Sequence, residues 1–235
     1  MDSTNNYAMA QATAGLANHG TLIFAREQWA GKGQRGRTWT SMPGENILLS
    51  AVLEPVALLS SQAFVLSACV ALACHDLFSR YAGAADTRIK WPNDLYWGDR
   101  KAGGILIENN FRGDRWALAI AGMGININQT VFPGSARNPI SLKQITGQSF
   151  DAAGLARELG DCLDRRYREL EAGSGAVSLI EQYNDRLYKR NESIRIKKDN
   201  AVFETTVEAV SAQGQLLTRD VLEREFSFGE VEWLI

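Results

Sequence analysis

The residues with the greatest capacity for chemistry are Gly31-Lys32-Gly33-Gln34-Arg35-Gly36-Arg37-Thr38-Trp39, where glycines and cations interleave. Glycine tolerates positive φ, so such a loop can turn sharply and bring backbone N–H groups against a ligand. Successive N–H groups make a concave anion site, to which Lys32, Arg35 and Arg37 add charge. That chemistry suits a phosphate or a carboxylate. A solvated basic hairpin tip has the same composition, and both readings stand at this point. The loop is not a dinucleotide fingerprint, which needs a hydrophobic strand running into the glycines and a helix leaving them. Gln28-Trp29-Ala30 leads in, and Thr38-Trp39-Thr40-Ser41-Met42-Pro43-Gly44 leads out.

Four other stretches carry reactive or polar groups. In Lys90-Trp91-Pro92-Asn93-Asp94, Asp94 offers a hard oxygen to Mg²⁺, or Asn93-Asp94 merely starts a turn after proline. In Arg100-Lys101-Ala102-Gly103-Gly104-Ile105, a lysine opens a strand whose glycines admit a ligand or another backbone; a lone surface lysine is the plainer reading. In Gly122-Met123-Gly124-Ile125-Asn126, small residues alternate, and Asn126 either bonds a nucleotide or ends the strand. Ser3-Thr4-Asn5 places two hydroxyls and an amide at a helix start, where capping is a sufficient use. His19 and His75 have no partner at motif spacing, and no GxSxG, HExxH or Walker loop is present. Without an activated nucleophile, chemistry would come from positioning and charge stabilisation, as in phosphoryl and nucleotidyl transfer.

The elements that must position these groups follow from periodicity. Ser3 can cap a helix from Thr4 to Asn18, stopped at His19-Gly20. Thr21–Ala25 reads as a buried strand and Asn46–Leu53 as a second. Ser61–Tyr81 keeps a broad apolar helical face. Thr87–Trp91 is a short strand, and Leu95–Trp97, Lys101–Asn109 and Arg115–Ile127 form an antiparallel meander with a turn at Asp114. Val131–Thr146 is an irregular connection. Asp151 caps a helix to about Ala172 that Gly173 stops, and a shorter helix runs from Ala176 to about Leu187. After Arg190, strands at Ile194–Lys197, Val202–Val210, Gln215–Thr218 and Glu225–Phe228 make a small β module. The expected class is α+β, with a largely antiparallel central sheet flanked by helices, residues 1–187 forming the main domain and 188–235 the module.

The 235 residues suffice for a full core, and the 45% hydrophobic and 22% charged content is ordinary for a globular chain. A net charge of −2 without a basic tail argues against nucleic-acid binding. No uninterrupted apolar run reaches the roughly 18 residues of a membrane span. Three cysteines without CxxC spacing suggest neither disulfides nor zinc, and a reducing, cytoplasmic setting is expected.

Taken in order, Asp2-Ser3-Thr4-Asn5, Gln28, the glycine loop through Trp39, Lys90-Trp91-Pro92-Asn93-Asp94, Lys101-Ala102-Gly103-Gly104-Ile105-Leu106-Ile107-Glu108 and Gly124-Ile125-Asn126-Ile127-Asn128 resemble the biotin–protein ligase family (biotin–[acetyl-CoA carboxylase] ligases). The resemblance implies a mixed sheet flanked by helices and a small C-terminal SH3-like barrel. It implies two half-reactions: the biotin carboxylate attacks the α-phosphate of ATP with Mg²⁺, releasing pyrophosphate, and a lysine of a biotin carboxyl carrier domain then takes the biotinyl group from biotinyl-5′-AMP. Carried over by motif, Ser3, Thr4, Asn5 and Gln28 serve the biotin head. Gly31, Lys32, Gly33, Gln34 and Gly104 line its tail, Arg35 and Arg37 neutralise phosphates, and Trp39 covers the adenylate. Lys101 and Arg37 are the catalytic pair, Lys101 touching the carboxyl and α-phosphate, while Asn93, Asp94 and Asn126 serve nucleotide and metal. A lipoate–protein ligase or octanoyltransferase, of the same superfamily, is the alternative. A chain opening at the Ser-Thr-Asn motif has no N-terminal DNA-binding domain, so no operator binding is expected. The commoner glycine loop has arginines where Lys32 and Gln34 stand; Lys32 loses the planar fork and Gln34 the charge. Biotinyl-AMP is therefore expected to leave the wild type faster than a Gln34→Arg variant; equal or faster release from the variant in a dissociation-rate measurement refutes this.

Overall fold

Side-chain alternation along two neighbouring strands divides the molecule into a core side and a cleft side. The computed structural model describes residues 1–113, 115–133, 138–172 and 175–234; the turn expected at Asp114 and the helix stop expected at Gly173 lie outside them. On β2 (Asn46–Leu53), Ile47, Leu49, Ala51 and Leu53 enter the main core, while Leu48, Ser50 and Val52 face the other way. On β6 (Arg115–Asn126), Ala119, Ala121, Met123 and Ile125 face the core, and Leu118, Ile120, Gly122 and Gly124 face the cleft side. These strands are the centre of a six-stranded sheet with β1 (Leu22–Phe24), β3 (Thr87–Lys90), β4 (Asp94–Trp97) and β5 (Arg100–Arg112), in the order β1-β2-β6-β5-β4-β3. Every pairing between these strands is antiparallel, and parallel contacts among the described residues are isolated bridges such as Lys101 to Pro139.

Helices cover the core face. α1 (Thr4–Thr13) lies on the opposite face, over β2 and β6. α2 (Ala63–Ala82) is buried over most of its circumference and packs on the sheet, on α3 (Leu142–Thr146), on α4 (Ala152–Glu171) and on α5 (Gly175–Asp185). By length and mean hydropathy (1.4) the stretch Ser60–Ala82 is long and apolar enough for a membrane span, contrary to the expectation that no stretch of the chain would be. Two thirds of its most apolar 18-residue window is buried inside the molecule (67%), as expected of a core helix.

One ion-pair network clamps the three long helices. Arg166 of α4 donates to both Asp76 oxygens (2.7 and 2.9 Å) and to Glu169 and Gln182 (2.8 and 2.6 Å). Burial alone would raise the Asp76 carboxyl, but the adjoining His75 ring and the Arg166 fork outweigh it and hold it down at about 2, against an ordinary 3.8. A folded-state value below the unfolded one stabilises above the unfolded pKa and is lost as pH falls through the folded pKa. We expect about 2 kcal/mol to disappear between pH ~4 and ~2. Urea midpoints should show that slope in wild type, while Asp76→Asn should start lower at pH 7 and lack it; parallel curves would refute the assignment.

The C-terminal strands β7 (Ser193–Lys198), β8 (Ala201–Val210), β9 (Leu216–Arg219), β10 (Glu223–Phe226) and β11 (Glu232–Leu234) form an antiparallel sheet in the order β10-β9-β8-β7-β11. This matches the expected SH3-like module, with β11 as a fifth strand. Trp233 is buried where β11 pairs with β7, an edge strand that the sequence reading did not include among those of the module. The module is tied to the end of β3 by Trp91 Nε1 donating to Gly214 O (2.9 Å) and to α5 by Asn184, which bridges both backbone groups of Val210.

Three expectations need correction. α1 ends at Thr13, not Asn18, because Gly15 takes a left-handed φ of 72° one turn earlier than the glycine at position 20. The first strand is a half-exposed sheet edge, with Leu22 40% exposed. The connection before residue 146 contains α3, started by a reciprocal Ser141–Gln144 capping box.

Candidate active site

The corner formed by the start of α1 and the end of β1's outgoing segment is a closed polar network. Gln28 Oε1 accepts from the Thr4 backbone N–H (2.6 Å) and lies 3.0 Å from the Thr4 hydroxyl. Asn5 Nδ2 donates to Leu106 O (3.2 Å) and Glu108 Oε2 (2.9 Å), and Glu108 also pairs with Lys32 (3.1 Å). Ser50 of β2, fully buried, contacts Thr4 Oγ1 at 2.7 Å and Asn5 Oδ1 at 2.6 Å. Ser3 occupies the N-cap position of α1, but its side chain makes no capping bond, so the expected cap is positional only.

The glycine loop is a hairpin closed on itself. Gly33 N–H donates to Arg37 O (2.7 Å), Arg37 N–H to Gln34 O (3.2 Å) and Trp39 N–H to Gly31 O (2.9 Å). The Gly33 amide expected to face an anion is thus used inside the loop. Gly31 does not line the cleft; it is needed because a Cβ there would collide with the Trp39 carbonyl. Arg35, in a left-handed conformation (φ 56°), donates to Gly229 O at 3.3 Å and so ties the loop to the C-terminal module. Arg37 is exposed, and among the described residues its guanidinium has no hydrogen bond or ion pair.

Lys101 reaches the cleft because of a β-bulge. Gly103 pairs with Leu95 and Lys101 with Tyr96, leaving Ala102 as the extra residue between them. Strict alternation from Gly104 would point Lys101 into the core; the inserted residue turns it to the cleft face. Its Nζ meets Asp94 Oδ1 at 2.7 Å and stands 5.9 Å from the Trp39 ring centre, with the two side chains of the ion pair 27% and 24% exposed. Glycines make this possible. A Cβ on Gly124 would lie 2.6 Å from the Trp39 indole, one on Gly122 would strike the Asn5 amide, and one on Gly104 would sit 3.3–3.5 Å from Trp39, Lys101 and Asp94.

These groups line one cleft of about 590 Å³ between the first sheet and the C-terminal module. Of the expected residues, Ser3, Thr4, Asn5, Gln28, Lys32, Gly33, Gln34, Arg35, Arg37, Trp39, Asn93, Asp94, Lys101, Gly104 and Asn126 line it. Asn93 and Asn126 spend their amides on backbone: Asn93 Nδ2 donates to Ile105 O, and Asn126 Nδ2 to Lys101 O (3.3 Å) and Ile140 O (3.1 Å). Each therefore holds the strand that carries Lys101. The sequence reading missed Ser50, Lys90, Phe132 and the wall of Phe228, Gly229, Val231 and Trp233. A buried serine in an apolar strand was the one signal available. Among the described residues no group of three or more His, Cys, Asp or Glu forms a metal cage. Asp94 offers a single carboxylate, which fits a magnesium ion held mainly by a ligand's phosphates.

Residues 1–126 match the family described as Biotin/lipoate A/B protein ligase family. The chain is 36% identical over 157 residues to the bifunctional ligase/repressor BirA of Bacillus spizizenii, covering 65% of this chain and 47% of that protein. It thus spans about half the length of that relative. It is 32% identical over 232 residues to the biotin--[acetyl-CoA-carboxylase] ligase of Paracoccus denitrificans, covering 95% of this chain and 93% of that one. The biotin protein ligase of Aquifex aeolicus, solved with biotin and ATP, superposes with a TM-score of 0.81 at 21% identity over 99% of this chain and 95% of that one.

Proposed function

The chain belongs to the biotin/lipoate A/B protein ligase family, and on that premise we propose that it is an ATP-dependent biotin–protein ligase. The observation that carries the reading is the convergence, in a single cleft, of a neutral hydrogen-bonding corner at Thr4 and Gln28 with the Lys101–Asp94 pair and the Arg37 guanidinium. The corner takes an uncharged polar head; the cations take carboxylate and phosphates.

In the first half-reaction a biotin carboxylate oxygen bonds to the α-phosphorus and the bond to the bridging oxygen of pyrophosphate breaks. Negative charge spreads over the equatorial oxygens, and Lys101 Nζ is positioned to meet it. Arg37 neutralises the departing pyrophosphate. Magnesium, when bound with the nucleotide, screens its phosphates, and Asp94 is the protein oxygen nearest to hand. In the second half-reaction a neutral lysine amine of a carrier protein attacks the acyl carbon; the acyl–oxygen bond breaks, AMP leaves and the amine loses a proton. The name of the Paracoccus relative, biotin--[acetyl-CoA-carboxylase] ligase, supports a carrier domain of an acetyl-CoA carboxylase as the acceptor. We place the end of the catalytic unit near residue 187, with the remainder as its SH3-like cover.

Incubating the chain with ATP, magnesium and labelled biotin, with and without a carrier domain, tests this. Biotin-stimulated ATP–pyrophosphate exchange followed by label on the carrier lysine is expected. Labelling by lipoate or octanoate in preference to biotin would move the assignment to the other branch of the family.

A further inference from the structure

We infer that Ser50, buried on β2 and outside the cleft wall, is a positioning residue that sets the direction of the hydrogen bonds at the head-group corner. It thereby makes the site select a ligand whose head carries N–H donors. The inference rests on the biotin reading above.

Proton counting gives the direction. Both Asn5 amide hydrogens are engaged, by Leu106 O and Glu108 Oε2, so Asn5 Oδ1 faces Ser50 as a pure acceptor. Ser50 has one proton, and at 2.6 Å that acceptor receives it. Two hydroxyl protons serve three contacts, so the 2.7 Å contact between the Ser50 and Thr4 hydroxyls takes the proton of Thr4 toward Ser50 in preference to the longer 3.0 Å contact with Gln28 Oε1. Gln28 Oε1 is already fixed as an acceptor by the Thr4 backbone N–H at 2.6 Å. The chain therefore runs from Thr4 through Ser50 to Asn5, and it is anchored by the Glu108 carboxylate and its Lys32 partner. Thr4 Oγ1 keeps lone pairs to spare and Gln28 Nε2 has no hydrogen bond among the described residues, and both residues line the cleft. A cyclic urea or amide, with N–H beside C=O, matches both groups. An apolar acyl chain or a dithiolane matches neither and leaves buried polar groups unpaired, which is the costly outcome.

The backbone supports this arrangement specifically. Gly122 is the cross-strand neighbour of Ser50, and its missing side chain is the space the Asn5 amide occupies. Ser50 and Gly122 together form the seat that keeps Asn5 oriented for the Ser50 proton.

Biotin binding to the full chain without ATP, by titration calorimetry, tests the inference. Ser50→Ala is expected to weaken biotin at least ~10-fold, the loss of one buried hydrogen bond. The KM for biotin should rise in step, with kcat at saturating biotin and the affinity for ATP both within about twofold of wild type. In an Asn5→Ala background, Ser50→Ala should add less than about twofold, since the hydroxyl acts through Asn5. Unchanged biotin affinity in Ser50→Ala, an equal loss of ATP affinity, or full additivity with Asn5→Ala would each overturn the inference. Absence of biotin binding by the wild-type chain would instead overturn the functional reading, and this inference with it.

Discussion

Lys101→Ala is expected to lower the rate of biotin-dependent ATP–pyrophosphate exchange by about 10²–10³-fold, the loss typical of removing one preorganised group aimed at transition-state charge. The fall should appear mainly in kcat, with a smaller rise in KM for biotin, because Thr4 and Gln28 hold the head group while Lys101 is one of several cations placed for its carboxylate. Two features of the site set this size. The ammonium is three-quarters buried and held 2.7 Å from Asp94 Oδ1, so its position is fixed before substrate arrives. It also lies beside the Trp39 ring, in a partly desolvated setting where charge interactions are stronger than in water. Folding should tolerate the change: Asp94 is about a quarter exposed and lines the cleft, so its carboxylate keeps access to solvent when the ion pair is lost and the melting temperature should move little. Lys101→Arg should also be slow, since a planar fork on a longer stem cannot replace a compact ammonium in the space left by Gly104. A Lys101→Ala enzyme within about threefold of wild-type kcat would remove Lys101 from the chemistry.

The glycine loop stood out by composition, whereas Asp94 and Lys101 had plainer readings as a turn and a surface lysine, and Gln28 was singled out only by the ordered motifs of the family resemblance; the structure brings all of them to one cleft. The strands of the meander were legible because alternation survives in them. What the sequence did not disclose was orientation. A one-residue bulge at Ala102 decides whether Lys101 faces the core or the cleft, and no composition rule marks it. Gly122 and Gly124 could be read as small residues in a strand, but their purpose depends on Asn5 and Trp39 arriving from more than 80 residues away. Ser50 was hidden for the same reason: its partners lie 45 and 46 positions earlier in the chain. Asn126, read either as a nucleotide contact or as a strand end, does end its strand and lines the cleft, and its amide hydrogens go to the Lys101 and Ile140 carbonyls. The wall from Phe228 to Trp233 could not be placed without the connection of Trp91 to Gly214, which swings the module over the first sheet.

Gly124→Ala, the addition of one methyl group, is expected to cost about 10²-fold in transfer of biotin to carrier while leaving the fold intact. The new Cβ would stand 2.6 Å from Trp39 Cε2 and 2.8 Å from Cζ2, distances that cannot be kept. The strand is the fixed partner in this collision, since β6 is paired on both sides along its length. The indole is on a loop held by three backbone hydrogen bonds of its own and by one Arg35 contact to Gly229, so the loop is what shifts. On the proposed reading Trp39 covers the acyl-adenylate, and an ångström of displacement at a reacting centre is worth about 10²-fold. Water then enters, and the adenylate should be hydrolysed or released faster than it is passed on. ATP consumption per biotin transferred is accordingly expected to rise well above one. Stability should hold or improve slightly, because alanine restricts the unfolded chain more than glycine does. The double variant Gly124→Ala/Trp39→Phe gives the decisive comparison: a smaller ring relieves the collision, so the pair should be faster than Gly124→Ala alone, a strong departure from additivity. If the double variant is slower than either single one, the indole and the glycine act independently, and Trp39 is not the cover of this site.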